Sequence, residues 1–185
     1  MPAARDHRRD RELLAGLAAG SAEALAELYD RHAPSLFRHA LVLARQRLDA
    51  EDLVQAVFVK LAGMGAELLG VREPAGYLHR MLHTAWVDVQ RRRVTSERVV
   101  CEAVDSGMWV SPRDAGHQDA IDLARALDTL PEAQREAVVL HLVDGFSFRE
   151  IGRMTGVSLF TAAGRYRQGI GRLRKSFGVN TGDDE

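Results

Sequence analysis

Cysteine is nearly absent. The one cysteine in 185 residues, Cys101, excludes an internal disulfide framework and any multi-cysteine zinc site. No apolar run approaches the ~18–20 residues that a membrane-spanning helix needs. The first ten residues, Met1–Asp10, are charged and lack the apolar stretch of a secretory signal. These absences together point to a cytoplasmic location. Aromatics make up only 6% of the chain, which argues against an all-β sandwich and suits helices built on Leu, Ala and Arg. The net charge of −1 is too small for the chain as a whole to signal a nucleic-acid partner.

Enzyme signatures are missing too. The sequence has no glycine-rich phosphate loop with its lysine, no nucleophile elbow and no carboxylate cluster of catalytic spacing. His79 and His83 are four apart, as in zinc proteases, but Arg80 holds the glutamate position and no third ligand is evident. Two histidines on the polar face of a helix are expected there. No catalytic residue, metal or cofactor is expected.

What is present is helical periodicity. Apolar residues are 46% of the chain, enough for one domain or two compact halves. Leu13, Leu14, Leu17, Leu25, Leu28 and Tyr29 fall at helical spacing, interrupted at Gly20-Ser21, where Ser21 can cap a second helix. Leu36, Phe37, Ala40, Leu41, Leu43 and Ala44 continue over residues 35–47. Asp49, Glu51 and Asp52 place carboxylates at a helix start, where the dipole favours them. Leu53, Val54, Val57, Phe58 and Leu61 then share one face. Pro74 suits a first helical turn, and Tyr77, Leu78, Met81, Leu82, Ala85 and Val89 form a buried stripe down to Arg91-Arg92-Arg93. Residues 94–118, with Ser96, Gly107, Pro112 and Gly116, have no helical period and read as a flexible linker. Over residues 102–130, six acids stand against Arg113 and Arg125, so the tether is acidic.

A second helical block covers 119–176. Ile121, Leu123, Leu127 and Leu130 form one stripe, and Pro131 opens a helix that runs through Ala137, Val138, Leu140, His141 and Leu142 to a stop at Gly145. Ser147 and Glu150 make a capping box. A short helix with Ile151 and Met154, a turn at Gly156-Val157-Ser158, and a longer helix with inward Ala162, Tyr166, Ile170 and Leu173 complete a helix-turn-helix. The fold is therefore all-α: two helical lobes, residues 11–93 and 119–176, joined by an acidic linker.

Charge is segregated along this frame. Between residues 147 and 175, seven basic side chains face the single acid Glu150, a net charge of +6. A cationic second helix suits the DNA major groove. The first lobe ends in Arg80, Arg91, Arg92, Arg93 and Arg98. Trp86 lies near the edge of the buried stripe, and His79, His83 and Thr84 lie on its more polar side. Arginines beside an aromatic can hold separated strands by stacking and phosphate contact. Taken alone, the same pattern also describes a core tryptophan and an ordinary basic helix end.

These residues resemble the extracytoplasmic-function (ECF) sigma factors of bacterial RNA polymerase. Asp49 to Phe58 is similar to their helix that docks on the polymerase clamp. Gly76 to Met81, Asp88 and Arg91–Arg93 resemble the helix that reads and melts the minus-ten element. Leu130-Pro131-Glu132, Arg135 to Val138, Gly145-Phe146-Ser147, Glu150-Ile151 and Gly156-Val157-Ser158 match the start of their minus-thirty-five lobe. The resemblance spans about residues 21–93 and 121–176.

It implies a factor with no covalent chemistry that lends core polymerase promoter specificity and strand opening. Core-polymerase contacts would be Asp49, Asp52, Gln55 and Phe58. Minus-ten contacts would be Arg80, His83, Thr84, Arg91, Arg92 and Arg93. Minus-thirty-five contacts would be Ser158, Phe160, Thr161, Arg165, Arg167 and Arg172. The partners implied are core RNA polymerase and promoter DNA. Many members are also restrained by an anti-sigma factor.

The sequence departs from the family at Ala56, a usual Glu, which implies an altered clamp contact, and at Thr84, a common Asn. It departs also at Ala163-Gly164 in the recognition helix, which implies either an unusual upstream preference or a weaker reading with more reliance on phosphates. The competing readings are a stand-alone helix-turn-helix regulator that binds operators as a dimer and, more distantly, a nucleic-acid enzyme.

Overall fold

The computed structural model describes residues 7–96 and 125–177, and every element in them is helical. Most of the expected linker, with Cys101 and Arg98, lies outside the described residues, as do Ile121 and Leu123. The chain divides into two compact units, residues 1–105 and 106–185, and each is described by itself.

The first unit contains α1 (His7–Ala18), α2 (Ala22–Ala44), α3 (Arg47–Ala62), a 3-10 segment (Gly65–Gly70) and α4 (Pro74–Ser96). α1 begins before Arg11, where the apolar period starts. The reason is electrostatic. Asp10 is buried, its Oδ1 accepts from Arg31 Nε at 2.9 Å, and its Oδ2 lies 3.2 Å from His32 Nε2. At the surface Arg9 forks onto Glu27 through two bonds of 2.9 and 2.5 Å. The chain leaves α1 through Gly20 at φ 91°, and Ser21 caps α2 by accepting from the Ala24 amide at 3.0 Å. α2 is one 23-residue helix rather than two segments, with Pro34 inside it. Pro34 and Asp30 are both exposed, so the carbonyl that loses its amide partner faces water.

α2 packs against α1, α3 and α4. The core they enclose includes Leu14, Leu28, Leu36, Ala40, Leu43, Leu53, Val57, Leu61, Leu68, Leu78 and Leu82. Trp86, which the sequence left open between the edge of the stripe and the core, is a core residue, 4% exposed. His79 corrects the sequence reading, since it is buried rather than on a polar face. His79 can be buried because it has polar partners there. Ser35 donates its hydroxyl to the His32 carbonyl at 3.1 Å, and its oxygen lies 3.3 Å from His79 Nε2. On the other side of the ring, His79 Nδ1 lies 3.0 Å from His39 Nδ1, one imidazole donating and the other accepting. The two rings are nearly parallel, with planes 22° apart and centroids 5.1 Å apart. A nitrogen separation of 3.0 Å within that distance means they meet edge to edge. Each buried imidazole thereby avoids the ~1–3 kcal/mol that an unpartnered buried polar group costs.

The second unit contains a helical turn at 125–128, α5 (Glu132–Val138), a π-helical turn (Val139–Val143), α6 (Phe148–Thr155) and α7 (Leu159–Ser176). The sequence pattern reads Pro131–Leu142 as one regular helix, but its last turn widens. The Asp144 amide reaches back five residues to the Val139 carbonyl, at 3.1 Å. His141 Nδ1 bonds the Phe146 carbonyl at 2.7 Å, and its ring packs on Phe148 and edge-on to Tyr166. Gly145 takes φ 69° and ends the element. The capping box forms as the spacing predicts: Glu150 N donates to Ser147 Oγ, and Ser147 N donates to Glu150 Oε2.

The turn between α6 and α7 depends on two glycines. Gly156 adopts φ 73°, where a side chain is strained, and a Cβ on Gly152 would come within 2.7 Å of the Val157 carbonyl oxygen. Gly169 allows α7 to approach α5, since a Cβ there would lie 2.8 Å from Val138 and 3.3 Å from the Gln134 carbonyl.

Two predictions follow from this packing. Gly152→Ala should lower the stability of the second unit by about 2 kcal/mol through overpacking against backbone, measured by urea unfolding. Burial raises the Asp10 carboxyl pKa, but His32 and then Arg31 more than reverse this and hold it below the usual carboxylate value. Its contribution is therefore complete above the unfolded pKa of ~3.9 and is lost as pH falls through the lower folded value. Asp10→Asn should cost about 2 kcal/mol near neutral pH, and the gap to wild type should narrow on acidification below that range.

Candidate functional site

α3 has two open sides. With the outer faces of α4 and α7, these carry nearly all the residues singled out in the sequence. Toward α4, a groove is walled by Asp49, Asp52, Lys60, Thr84, Asp88 and Arg92 and floored by Leu53, Val57, Met81 and Trp86. Toward α2, a wider groove of about 1020 Å³ is lined by Tyr29, Phe37, Val54, Gln55, Phe58 and Val59, among others. The four residues grouped as core-polymerase contacts are thus divided. Asp49 and Asp52 share the α3–α4 groove with Thr84 and Arg92, whereas Gln55 and Phe58 belong to the α2–α3 groove. Phe58 is a core residue, 6% exposed, whose ring lies 4.8 Å from that of Tyr29. Only its edge contributes to the groove.

The periodicity missed the most exposed part of that second groove. Tyr29, which falls at the helical spacing of the leucines before it, is half exposed, and Val59 is 68% exposed. A signal was available: Val59 falls off the face formed by Leu53, Val54, Val57, Phe58 and Leu61. With Tyr29 it leaves exposed apolar surface along this groove.

On α4, the burial of Leu78, His79, Leu82 and Trp86 turns Arg80, Thr84, Asp88, Arg91 and Arg92 outward. Thr84 donates its hydroxyl to the Arg80 carbonyl at 2.9 Å. Arg91 lies 3.8 Å from Asp88, with both side chains largely in water, so the pair holds it weakly. His83 is half-buried rather than fully presented. Arg93 lies within α4, and its side chain is outside the described residues.

On α7, Ser158 caps the helix by accepting from the Thr161 amide at 3.0 Å, and its hydroxyl lies 2.8 Å from that of Thr161. Phe160, Thr161, Arg167 and Arg172 are exposed, and Arg165 is half-buried on the flank. Ala162, Gly169 and Leu173 face inward. One outward line runs Phe160, Gly164, Arg167, Gly171, at steps of four, three and four residues. Gly164 and Gly171 have open space where a Cβ would be, so packing does not explain their helix cost of about 1 kcal/mol each.

The chain is similar to known proteins over both units. Residues 28–95 match Sigma-70 region 2, and residues 120–173 match Sigma-70, region 4. The ECF RNA polymerase sigma factor SigM of Mycobacterium tuberculosis is 33% identical over 179 residues, covering 96% of this chain and 90% of that protein. The ECF RNA polymerase sigma factor SigE of Mycolicibacterium smegmatis is 34% identical over 80% of this chain, which spans 59% of that longer relative. The RNA polymerase sigma factor CarQ of Myxococcus xanthus is 31% identical, covering 86% and 92%. Among solved structures, the sigma factor RpoE of Bartonella quintana, in complex with the anti-sigma factor NepR, superposes with a TM-score of 0.65 at 26% identity, covering 80% of this chain and 92% of that one. CnrH, in complex with the cytosolic domain of CnrY, gives 0.64 at 22% identity, covering 94% and 99%, and bears on the fold alone. With the clamp-like, promoter-melting-like and helix-turn-helix segments in order on one all-α chain, this protein belongs to the ECF family of RNA polymerase sigma factors.

Proposed function

We propose that this sigma factor divides its work among three surfaces. The α2–α3 groove, with Tyr29, Gln55 and Val59, docks core RNA polymerase. The outer face of α4, with Arg80, Thr84, Arg91 and Arg92 beside the α3–α4 groove, engages the minus-ten element and holds it open. The outer face of α7 binds the minus-thirty-five element. Residues 11–93 thus act as a region 2 domain, residues 119–176 as a region 4 domain, and 94–118 as the tether.

The observation that carries this reading is the separation of surface chemistry. The α2–α3 groove carries the exposed apolar side chains Tyr29 and Val59 beside Asp30, Arg47 and Glu51, and suits a protein partner. The faces of α4 and α7 are cationic and suit phosphates. A stand-alone operator-binding regulator would leave the first unit's apolar groove without a purpose, and the family match extends over both units.

The factor itself does no covalent chemistry. It acts by differential binding, favouring the opened promoter over the closed duplex through stacking and charge on α4. The residues that would execute catalysis belong to the polymerase. A cytoplasmic location agrees with the absence, among the described residues, of any helix long and apolar enough to cross a membrane. An anti-sigma factor is a further proposed partner, since the RpoE structure holds the anti-sigma factor NepR.

The two roles separate by mutation. Val59→Asp should weaken co-elution with core polymerase at least tenfold, as expected for a charge placed in an interface core. Arg91→Glu with Arg92→Glu should leave co-elution intact and abolish open-complex formation, read by permanganate footprinting. Equal loss of both activities in both variants would refute the division. Promoter affinity of the holoenzyme should also fall steeply with salt. The share due to about six phosphate contacts has a log–log slope of roughly −5.

A further inference from the structure

We propose that Phe160 sets the sequence specificity of α7 by packing against thymine methyl groups in the major groove of the upstream element. This deepens the DNA-binding role proposed for α7 and rests on it. Phe160 is 80% exposed, more than any other large apolar side chain among the described residues. A ring left so far in water contributes little to folding, and its apolar surface is available to a partner. It sits in the first turn of α7, two residues after the Ser158 cap. In a helix-turn-helix that end of the recognition helix reaches the base edges.

Its neighbours narrow the partner further. The hydroxyls of Ser158 and Thr161 are engaged with each other and with the cap amide, which reduces their use as readers of base edges. One turn along the same face stands Gly164, whose outer side is open. No side chain on that line shields the ring until Arg167, so the ring can lie against the groove floor. Arg167, Arg174 and Lys175 are exposed further along the helix and supply phosphate contacts. That charge favours DNA over an apolar protein surface as the occupant. Among major-groove base edges the thymine methyl is the one apolar group, whereas guanine, adenine and cytosine offer hydrogen-bond donors and acceptors. An exposed aromatic ring with few polar readers beside it is therefore matched to thymine.

The test uses full-length protein assembled with core polymerase, on promoters recovered by run-off transcription. Each thymine of the upstream element is replaced by uracil, which deletes the methyl and nothing else, and holoenzyme binding is measured by competition. At one or two positions the replacement should weaken wild-type binding about three- to fivefold, the value of one buried methyl contact. Phe160→Ala should bind the thymine promoter more weakly by a similar factor and be indifferent to uracil, while Phe160→Leu keeps part of the sensitivity. Thermal unfolding of Phe160→Ala should match wild type, because the ring is exposed.

Two results overturn the inference while leaving the sigma-factor reading in place. One is a wild-type holoenzyme that selects the promoter yet ignores every uracil. The other is full uracil sensitivity retained in Phe160→Ala. Failure of the wild-type protein to direct any promoter-selective initiation would overturn the DNA-binding role of α7 and this inference with it.

Discussion

The orientation of α4 depends on a polar contact set among its buried apolar side chains. The edge-to-edge bond between His39 and His79, continued through Ser35 to the His32 carbonyl, lies within the α2–α4 packing. Leucines alone would tolerate small rotations of one helix on another. A buried hydrogen bond between two imidazoles does not, since slippage would strand a donor and an acceptor. With His79 facing inward, Arg80, Thr84, Asp88 and Arg91 face outward. The candidate strand-opening surface is thus placed by two buried histidines that do not themselves touch it. The same helix α2 holds α1 through Asp10, Arg31 and His32.

The second unit is organised by close approach. Gly152 lets backbone meet backbone where a methyl would not fit, Gly169 lets α7 close on the Val138 side chain, and Gly156 turns the chain. These contacts fix how far α7 stands out and which of its residues leave the surface. The glycines of α7 do not all serve packing: Gly169 is required by it, whereas Gly164 and Gly171 look onto open space. The outer face of α7 thus carries two glycines that packing does not require and one exposed phenylalanine.

Much of this was legible in the sequence, and what was missed has physical reasons. Periodicity located the helices of both units because each buries a regular apolar face. The caps at Ser21, Ser147 and Ser158 were readable because a hydroxyl has few other uses at a helix start. The inward turn of His79 was not readable. A histidine reads as polar until the residue that satisfies it is known, and His39 is 40 positions away. The early start of α1 was hidden for the same reason, since Asp10 belongs inside only with Arg31 and His32. The widened turn at Val139–Val143 depends on the ring contacts of His141 with Phe148 and Tyr166, which no local pattern encodes. At the functional surfaces, the residue types on α4 and α7 were evident from charge, whereas the apolar α2–α3 groove emerged only once Tyr29 and Val59 were seen to be exposed.

The central claim is that this chain confers promoter selection on core RNA polymerase, and run-off transcription on fragmented host genomic DNA tests it most directly. With core polymerase alone, discrete start sites should be absent. Addition of the protein should produce a reproducible set whose upstream regions align on two elements at constant spacing. An unchanged transcript pattern, with no co-elution of the protein with core polymerase, would contradict the account.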